Sequence, residues 1–198
     1  YDPVTDTWTQ KSNFAGSARR NAACFVVNNI AYVMCGQNAS GFTNDMYAYD
    51  PATNSWSIKA NFPGTARRSL AAFNANGKGF AGTGDDGTFK NDFYSYLPST
   101  NTWTAISAFG GTPRYGTCAF TLNGKGYVGC GYDYSLNYRN DFWRYDPVAG
   151  TWSQVQGFGG IPRSNAVAFS FANFPDASNF SLRKRCDRTS CFFWDSDN

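Results

Sequence analysis

The 198-residue chain contains no histidine and no glutamate, only two methionines, and no more than 16% charged residues. Without histidine, serine–histidine and cysteine–histidine nucleophile systems cannot be assembled. Without glutamate, paired-carboxylate hydrolysis would have to use aspartates alone. No apolar run approaches the roughly 20 residues a membrane helix needs, so no membrane partner is expected. The six cysteines lack zinc-type spacing, and neither a metal nor another cofactor is expected. The formal charge of +3 is small, and Lys and Arg are dispersed except for Arg183, Lys184, Arg185 and Arg188. A nucleic-acid partner is not expected without a basic stripe and a fold to present it. Helix formers are scarce, whereas 20 glycines and 18% aromatics are present, which points to an all-β protein. An apolar content of 42% is enough to build a core.

What is present is a repeat. YDPVTDTW opens the chain and returns as YDPATNSW, YLPSTNTW and YDPVAGTW, so that Trp8, Trp56, Trp103 and Trp152 stand 48, 47 and 49 residues apart. Periods of this length belong to propeller blades or solenoid units. After each Trp comes F-x-G-x-x-R, ending at Arg19, Arg67, Arg114 and Arg163 in the same spacing. A first strand ending at Phe25, Phe73, Phe120 or Phe169 follows, and in the first three units a turn at NNI, NGK or NGK leads to a second strand ending at Gly36, Gly84 or Gly131. A polar loop leads to Asn-Asp and to a third strand with aromatics at period two, after which Asp-Pro or its counterpart turns into the Trp strand. Each repeat is therefore a four-stranded antiparallel unit, the pattern of a β-propeller blade.

The glycine-ended second strand, Tyr-Asp-Pro and the Trp that follows it resemble the kelch repeat family over residues 1–171, with blade units at about 19–56, 67–103 and 114–152. One departure is that Cys35-Gly36, Thr83-Gly84 and Cys130-Gly131 stand where that family has a double glycine. The variant is most similar to secreted bacterial kelch proteins of the galactose-oxidase-like group, which implies an extracellular or cell-surface address. Copper chemistry of the galactose oxidase kind is not supported, because there is no histidine to hold the metal. Tyr1 already lies inside a repeat, so the expectation is a fragment of a larger propeller. Residues 172–198 break the pattern and read as a non-repeat tail, either divergent or translated in a shifted frame.

Antiparallel order puts the loop before strand one and the loop between strands two and three at the same end of the blade. The latter loops vary from QNASGFT through DDGTFK to YDYSLNYR, and variable loops on a rigid scaffold are where recognition resides. Tyr132, Tyr134, Tyr138 and Arg139 are the favoured contact residues, joined by Asp85, Asp86, Gln37, Arg67 and Arg114. For the recurrent arginines Arg19, Arg67, Arg114 and Arg163 the favoured reading is burial or half-burial against carbonyls of the adjacent blade, with ligand contact as the alternative. Asp45, Asp92 and Asp141, like Asp2, Asp50 and Asp146, read as turn formers bonding nearby amides. The repeated Trp and Tyr read as packing between blades. A three-residue turn over residues 123–125 would place Cys118 opposite Cys130 and allow one disulfide; otherwise these cysteines are apolar fillers.

The expected function is a non-catalytic module that binds a protein or glycan partner through loops at one blade end. One alternative is a galactose-oxidase-like or sugar-isomerising enzyme, of the sialic-acid mutarotase kind, with its catalytic residues outside this segment. The other is a structural spacer in a large secreted protein.

Overall fold

A computed structural model describes residues 1–170, 183–186 and 191–194. Strands β1 (Ala23–Val27), β2 (Ile30–Asn38), β3 (Gly41–Asp50) and β4 (Ser55–Lys59) form one antiparallel sheet in chain order. Strands β5 (Ala71–Ala75), β6 (Lys78–Gly82), β7 (Phe93–Leu97) and β8 (Thr102–Ile106) form a second. After the short β9 (Arg114–Tyr115), a third sheet is made of β10 (Cys118–Leu122), β11 (Lys125–Gly129), β13 (Phe142–Asp146) and β14 (Thr151–Val155). Strand β12 (Tyr132–Asp133) pairs with β9, and β15 (Arg183–Cys186) pairs with β16 (Cys191–Trp194). The described residues contain no helix, and their sheets do not close into a ring. Apart from β15 and β16, the tail at 172–198 lies outside the described residues.

The first hairpin of every blade turns through two residues. Asn28-Asn29, Asn76-Gly77 and Asn123-Gly124 all have positive φ, as a type I′ turn requires, and they leave Leu122 opposite Lys125. This corrects the three-residue turn expected at 123–125. Cys118 stands opposite Gly129 rather than Cys130, and both cysteines are free, so no disulfide joins them. The second turn follows the expected Asx pattern, with Asp2, Asp50 and Asp146 accepting from the amides of Val4, Ala52 and Val148 at 2.8, 2.8 and 3.0 Å.

The innermost strands β1, β5 and β10 lie side by side, and aromatics cross from blade to blade behind them. Phe25 stacks on Tyr32 at 5.0 Å and meets the second blade's Tyr96 and Trp103; Phe73 repeats this with Phe80, Tyr145 and Trp152. Gly79 and Gly126 admit these rings: a Cβ there would lie 2.2 and 2.1 Å from Phe25 and Phe73. The indole N–H of Trp56, Trp103 and Trp152 donates to the carbonyls of Ser12, Ala60 and Ser107 in the segment entering the same blade. Trp8 meets the Tyr1 ring at 5.1 Å and is largely exposed among the described residues.

The repeated arginine joins the blades. Arg67 is 1% exposed; its Nε donates to the Thr65 carbonyl, Nη1 to the Thr83 carbonyl, and Nη2 to Asp92 at 2.9 Å and to the Thr65 hydroxyl, while Phe62 lies 5.2 Å beneath the guanidinium. Arg19 and Arg114 repeat the arrangement with Asp45 and Asp141 and with the carbonyls of Cys35 and Cys130. Arg163 opens a fourth copy, donating to the Ile161 carbonyl over the Phe158 ring. The backbone of the same residues belongs to the preceding blade. Gly36 N donates to Arg67 O at 2.9 Å, Gly84 N to Arg114 O at 2.9 Å and Gly131 N to Arg163 O at 2.7 Å. A further chain of amide bonds runs from Ser69 to Asn21, Gly116 to Ser69 and Asn165 to Gly116. Two expectations are thereby corrected. The aspartates 45, 92 and 141 are ion-pair partners rather than local turn formers, and the carbonyls met by each arginine side chain lie in its own repeat, the neighbouring blade being met by its backbone.

Blade cores match volumes across strands β2/β3, β6/β7 and β11/β13. Met34 faces Met46 in the first blade, whereas Gly82 faces Phe93 and Gly129 faces Phe142 in the others. A Cβ on Gly82 would sit 2.2 Å from the Phe93 ring. Gly82→Met should therefore cost about 2 kcal/mol or more. Combined with Phe93→Met, which recreates the first blade's pair, the loss should fall short of the sum of the single losses by over ~1 kcal/mol in denaturant titrations.

The ion pairs also set the acid response. The Arg19 guanidinium bonded to Asp45 holds that carboxyl below the usual carboxylate range. Burial pushes Asp141 upward, but hydrogen bonds from Arg114 and Trp143 outweigh it and leave it lowered as well. A depressed folded-state pKa gives stability that is complete above the unfolded value of about 3.9 and is lost as pH falls through the folded value. The melting temperature should be level from about pH 7 to about pH 5 and drop below about pH 4. Asp45→Asn should lower it at neutral pH and flatten the acid fall.

Candidate binding site at one end of the blades

Residues just past the repeated arginine pair with residues just past the glycine of β2 and its counterparts. Arg20 bridges to Gln37, Arg68 to Asp85, and Tyr115 to Tyr132, all at the end of the blades that carries the β2–β3 type of loop. The backbone frame is the same in each blade, and only the side chains change. In the first two blades the side chains make a polar chain: Gln37 Oε1 accepts from Arg20 at 3.1 Å and from Arg68 at 2.8 Å, and Arg68 Nη2 reaches Asp85 at 3.1 Å. Arg68 also lies over the Phe42 ring.

In the third blade the same positions are aromatic. Tyr132 meets Tyr115 at 5.8 Å and Tyr138 at 5.0 Å. Phe89, from the loop of the second blade, stacks on Tyr134 at 4.2 Å and contacts Tyr115 and Tyr132. The amide of Phe89 donates to Tyr134 Oη at 2.5 Å, which fixes the tyrosine at both ends. The cluster thus spans two blades. Its outward members Tyr134 and Tyr138 are each 55% exposed, and Leu136 between them is 75% exposed with φ of 56°. The loop is held by Leu136 N donating to Asp133 O, Asp133 N to Asn137 O, and Ser135 N to the Asp133 carboxylate.

The carboxylates expected at this end are occupied. Asp85 is buried and bonded to Arg68 and to the amide of Gly87. Burial raises the pKa of Asp86, but bonds from Thr65, Thr88 and Lys90 outweigh this and leave it strongly lowered. Asp133 follows the same balance, with Arg139 and Thr112 as the donors that win over burial. A general acid near neutral pH needs a raised carboxyl, and those of Asp86 and Asp133 are lowered. Among the described residues no group of three or more potential metal ligands converges.

Of the side chains read from the sequence as contacts, Tyr134 and Tyr138 are open to solvent, while Tyr132 and Gln37 are half-buried in the clusters above. Arg139 is spent on Asp133, Asp85 on Arg68, Asp86 on Thr65 and Lys90, and Arg67 and Arg114, each 1% exposed, on the ion pairs within their own blades. Those two arginines are thus removed from the ligand set. Arg20, Arg68, Tyr115 and Phe89 were not legible as site residues. The signal was the residue after each repeated arginine, which reads Arg, Arg, Tyr and Ser while its neighbour never changes.

Residues 1–113 match the model of the KLHDC2/KLHL20/DRC7 kelch-repeats domain. No curated protein matches the chain. Among solved structures, one described as the structure of YjhT superposes with a TM-score of 0.68 at 19% identity, covering 79% of this chain and 57% of that one. At that identity the likeness concerns the fold, and this chain spans little more than half of YjhT. With three four-stranded blades in hand and more than half of its residues matched, the chain belongs to the kelch-repeat family.

Proposed function

We propose that the chain is a non-catalytic kelch module that binds a protein partner through the blade end carrying Tyr134, Leu136 and Tyr138. The observation that supports this most is the aromatic cluster of Phe89, Tyr115, Tyr132, Tyr134 and Tyr138, which is contiguous across two blades and ends in exposed rings. Exposed apolar groups gathered in one patch mark interaction sites, and Tyr with Ser and Asn is the composition of loops that recognise proteins. Leu136 favours a protein over a glycan, since an exposed aliphatic group has nothing to offer sugar hydroxyls. The neighbouring charges Arg139 and Asp133 satisfy one another, which leaves the contact to tyrosine rings, their hydroxyls and the leucine.

A phage-displayed library of random peptides and an array of glycans, both probed with the 198-residue chain, test the reading. Peptide ligands should be recovered whose affinity falls tenfold or more, about 1.4 kcal/mol, in Tyr138→Ala and Leu136→Ser at unchanged melting temperature. Ligands indifferent to both substitutions would contradict it, as would a glycan-only profile or turnover of a sugar by the chain.

A further inference from the structure

The blade end that carries the aromatic cluster has its carboxylates and Gln37 in use and phenolic donors to spare. Asp85 accepts from Arg68 and from the amide of Gly87, Asp86 from Thr65, Thr88 and Lys90, and Asp133 from Thr112, Arg139 and the amide of Ser135. Gln37 Oε1 accepts from Arg20 and Arg68 together. The hydroxyls of Tyr115, Tyr132 and Tyr138, in contrast, have no hydrogen-bond partner among the described residues. Tyr134 Oη accepts from the Phe89 amide and keeps its own proton to give. The charges beside the cluster are matched as well, Arg68 with Asp85, Lys90 with Asp86 and Arg139 with Asp133. A ligand that complements this surface offers acceptors to the phenols, brings no charge, and lays an apolar flank on the tyrosine rings and Leu136.

We propose that the partner segment is proline-rich and binds here as a polyproline II helix, its carbonyls accepting from the hydroxyls of Tyr132 and Tyr138 and its proline rings lying against Tyr134, Leu136 and Tyr138. The proposal rests on reading this patch as a protein-binding site and names the kind of segment it takes. Proline carries a carbonyl and no N–H, so it brings an acceptor without a donor. A polyproline II helix makes no internal hydrogen bonds, which leaves every carbonyl free for a phenol. Its stiffness lowers the ordering cost of docking on an aromatic surface. Other backbones fit less well. An α-helix spends its carbonyls on its own amides. An added strand finds no free edge, since Tyr132 is bridged by Tyr115 on one side and by Tyr138 on the other. An acidic segment would bring its carboxylates to cations beside the cluster that already have theirs, and would bury them without a counter-charge.

The test is a titration of the full chain into fluorescein-labelled decaproline, read by anisotropy, beside a glycine–serine peptide of the same length. The proline peptide should bind and the flexible control should not. Tyr138→Phe keeps the ring and removes only the hydroxyl; it should weaken binding about fivefold at unchanged melting temperature, the loss of one hydrogen bond. Tyr132→Phe should act in the same direction. Failure of decaproline to bind would overturn the proposal, as would an affinity that neither hydroxyl deletion changes. The phage-displayed library separates this failure from that of the protein-binding reading. Proline-free peptides that lose affinity in Leu136→Ser overturn the polyproline proposal and leave the protein-binding site standing, whereas a library with no ligand sensitive to Leu136→Ser or Tyr138→Ala removes both.

Discussion

A guanidinium carries five N–H donors in a rigid plane, and in this protein each fully built copy spends them in the same way. One donor goes to the carbonyl two residues back, one to the carbonyl sixteen residues on, and the fork closes on an aspartate 25 to 27 residues on, with a phenylalanine face beneath. Such a group fixes its own backbone, and that backbone is bonded to the blade before. Arg67 N donates to Thr43 O and Arg67 O accepts from Gly36 N, so one residue is held by the second blade through its side chain and by the first through its main chain. Removing the aspartate strands a guanidinium whose side chain is only 1% exposed in Arg67 and Arg114, and such a loss costs up to roughly 3–5 kcal/mol. The recurrent Phe, Gly, Arg, Asp and Gly of the repeat therefore act as parts of a single joint.

The joint explains which positions are constant and which vary. Gly36, Gly84 and Gly131 have φ of 102, 101 and 98°, and a Cβ on them would lie within 2.9 Å of the carbonyl of residue 20, 68 or 115. They cannot change without opening the seam. The residue beside each joint has its backbone fixed equally well but its side chain turned to the end of the blade, so chemistry there is unconstrained by the fold. Arg20, Arg68 and Tyr115, with Gln37, Asp85 and Tyr132 across from them, show this freedom and carry the surface from polar to aromatic.

Much of this was readable in the sequence because strands, type I′ turns and the aromatic period are local signals. Asn76-Gly77 announces its hairpin without reference to any other part of the chain. What was misread depended on distance or on a single residue. The partners of Arg67 and Arg114 lie more than twenty residues away, so recurrence at equal spacing showed that Asp92 and Asp141 mattered without showing that they were partners. Counting the turn at Asn123 as three residues shifted the strand register by one and put Cys130 in the place of Gly129. An aromatic at the position of Tyr115 does not recur, whereas the position of Phe89 is aromatic in every blade, as Phe42, Phe89 and Tyr138, and only the folding of two loops onto each other makes Phe89 and Tyr115 one surface with Tyr134.

Native-state amide hydrogen exchange of Arg67→Lys, which keeps the charge and loses the fork, tests the joint most directly. The amides of Gly36, Phe62 and Ser69, which bridge the first two blades, should lose protection by a factor of ten or more. The amide of Val128 within the third blade should keep most of its protection. If Gly36 remains as slow in the lysine variant as in the parent, the arginine does not hold the blades together and the account fails.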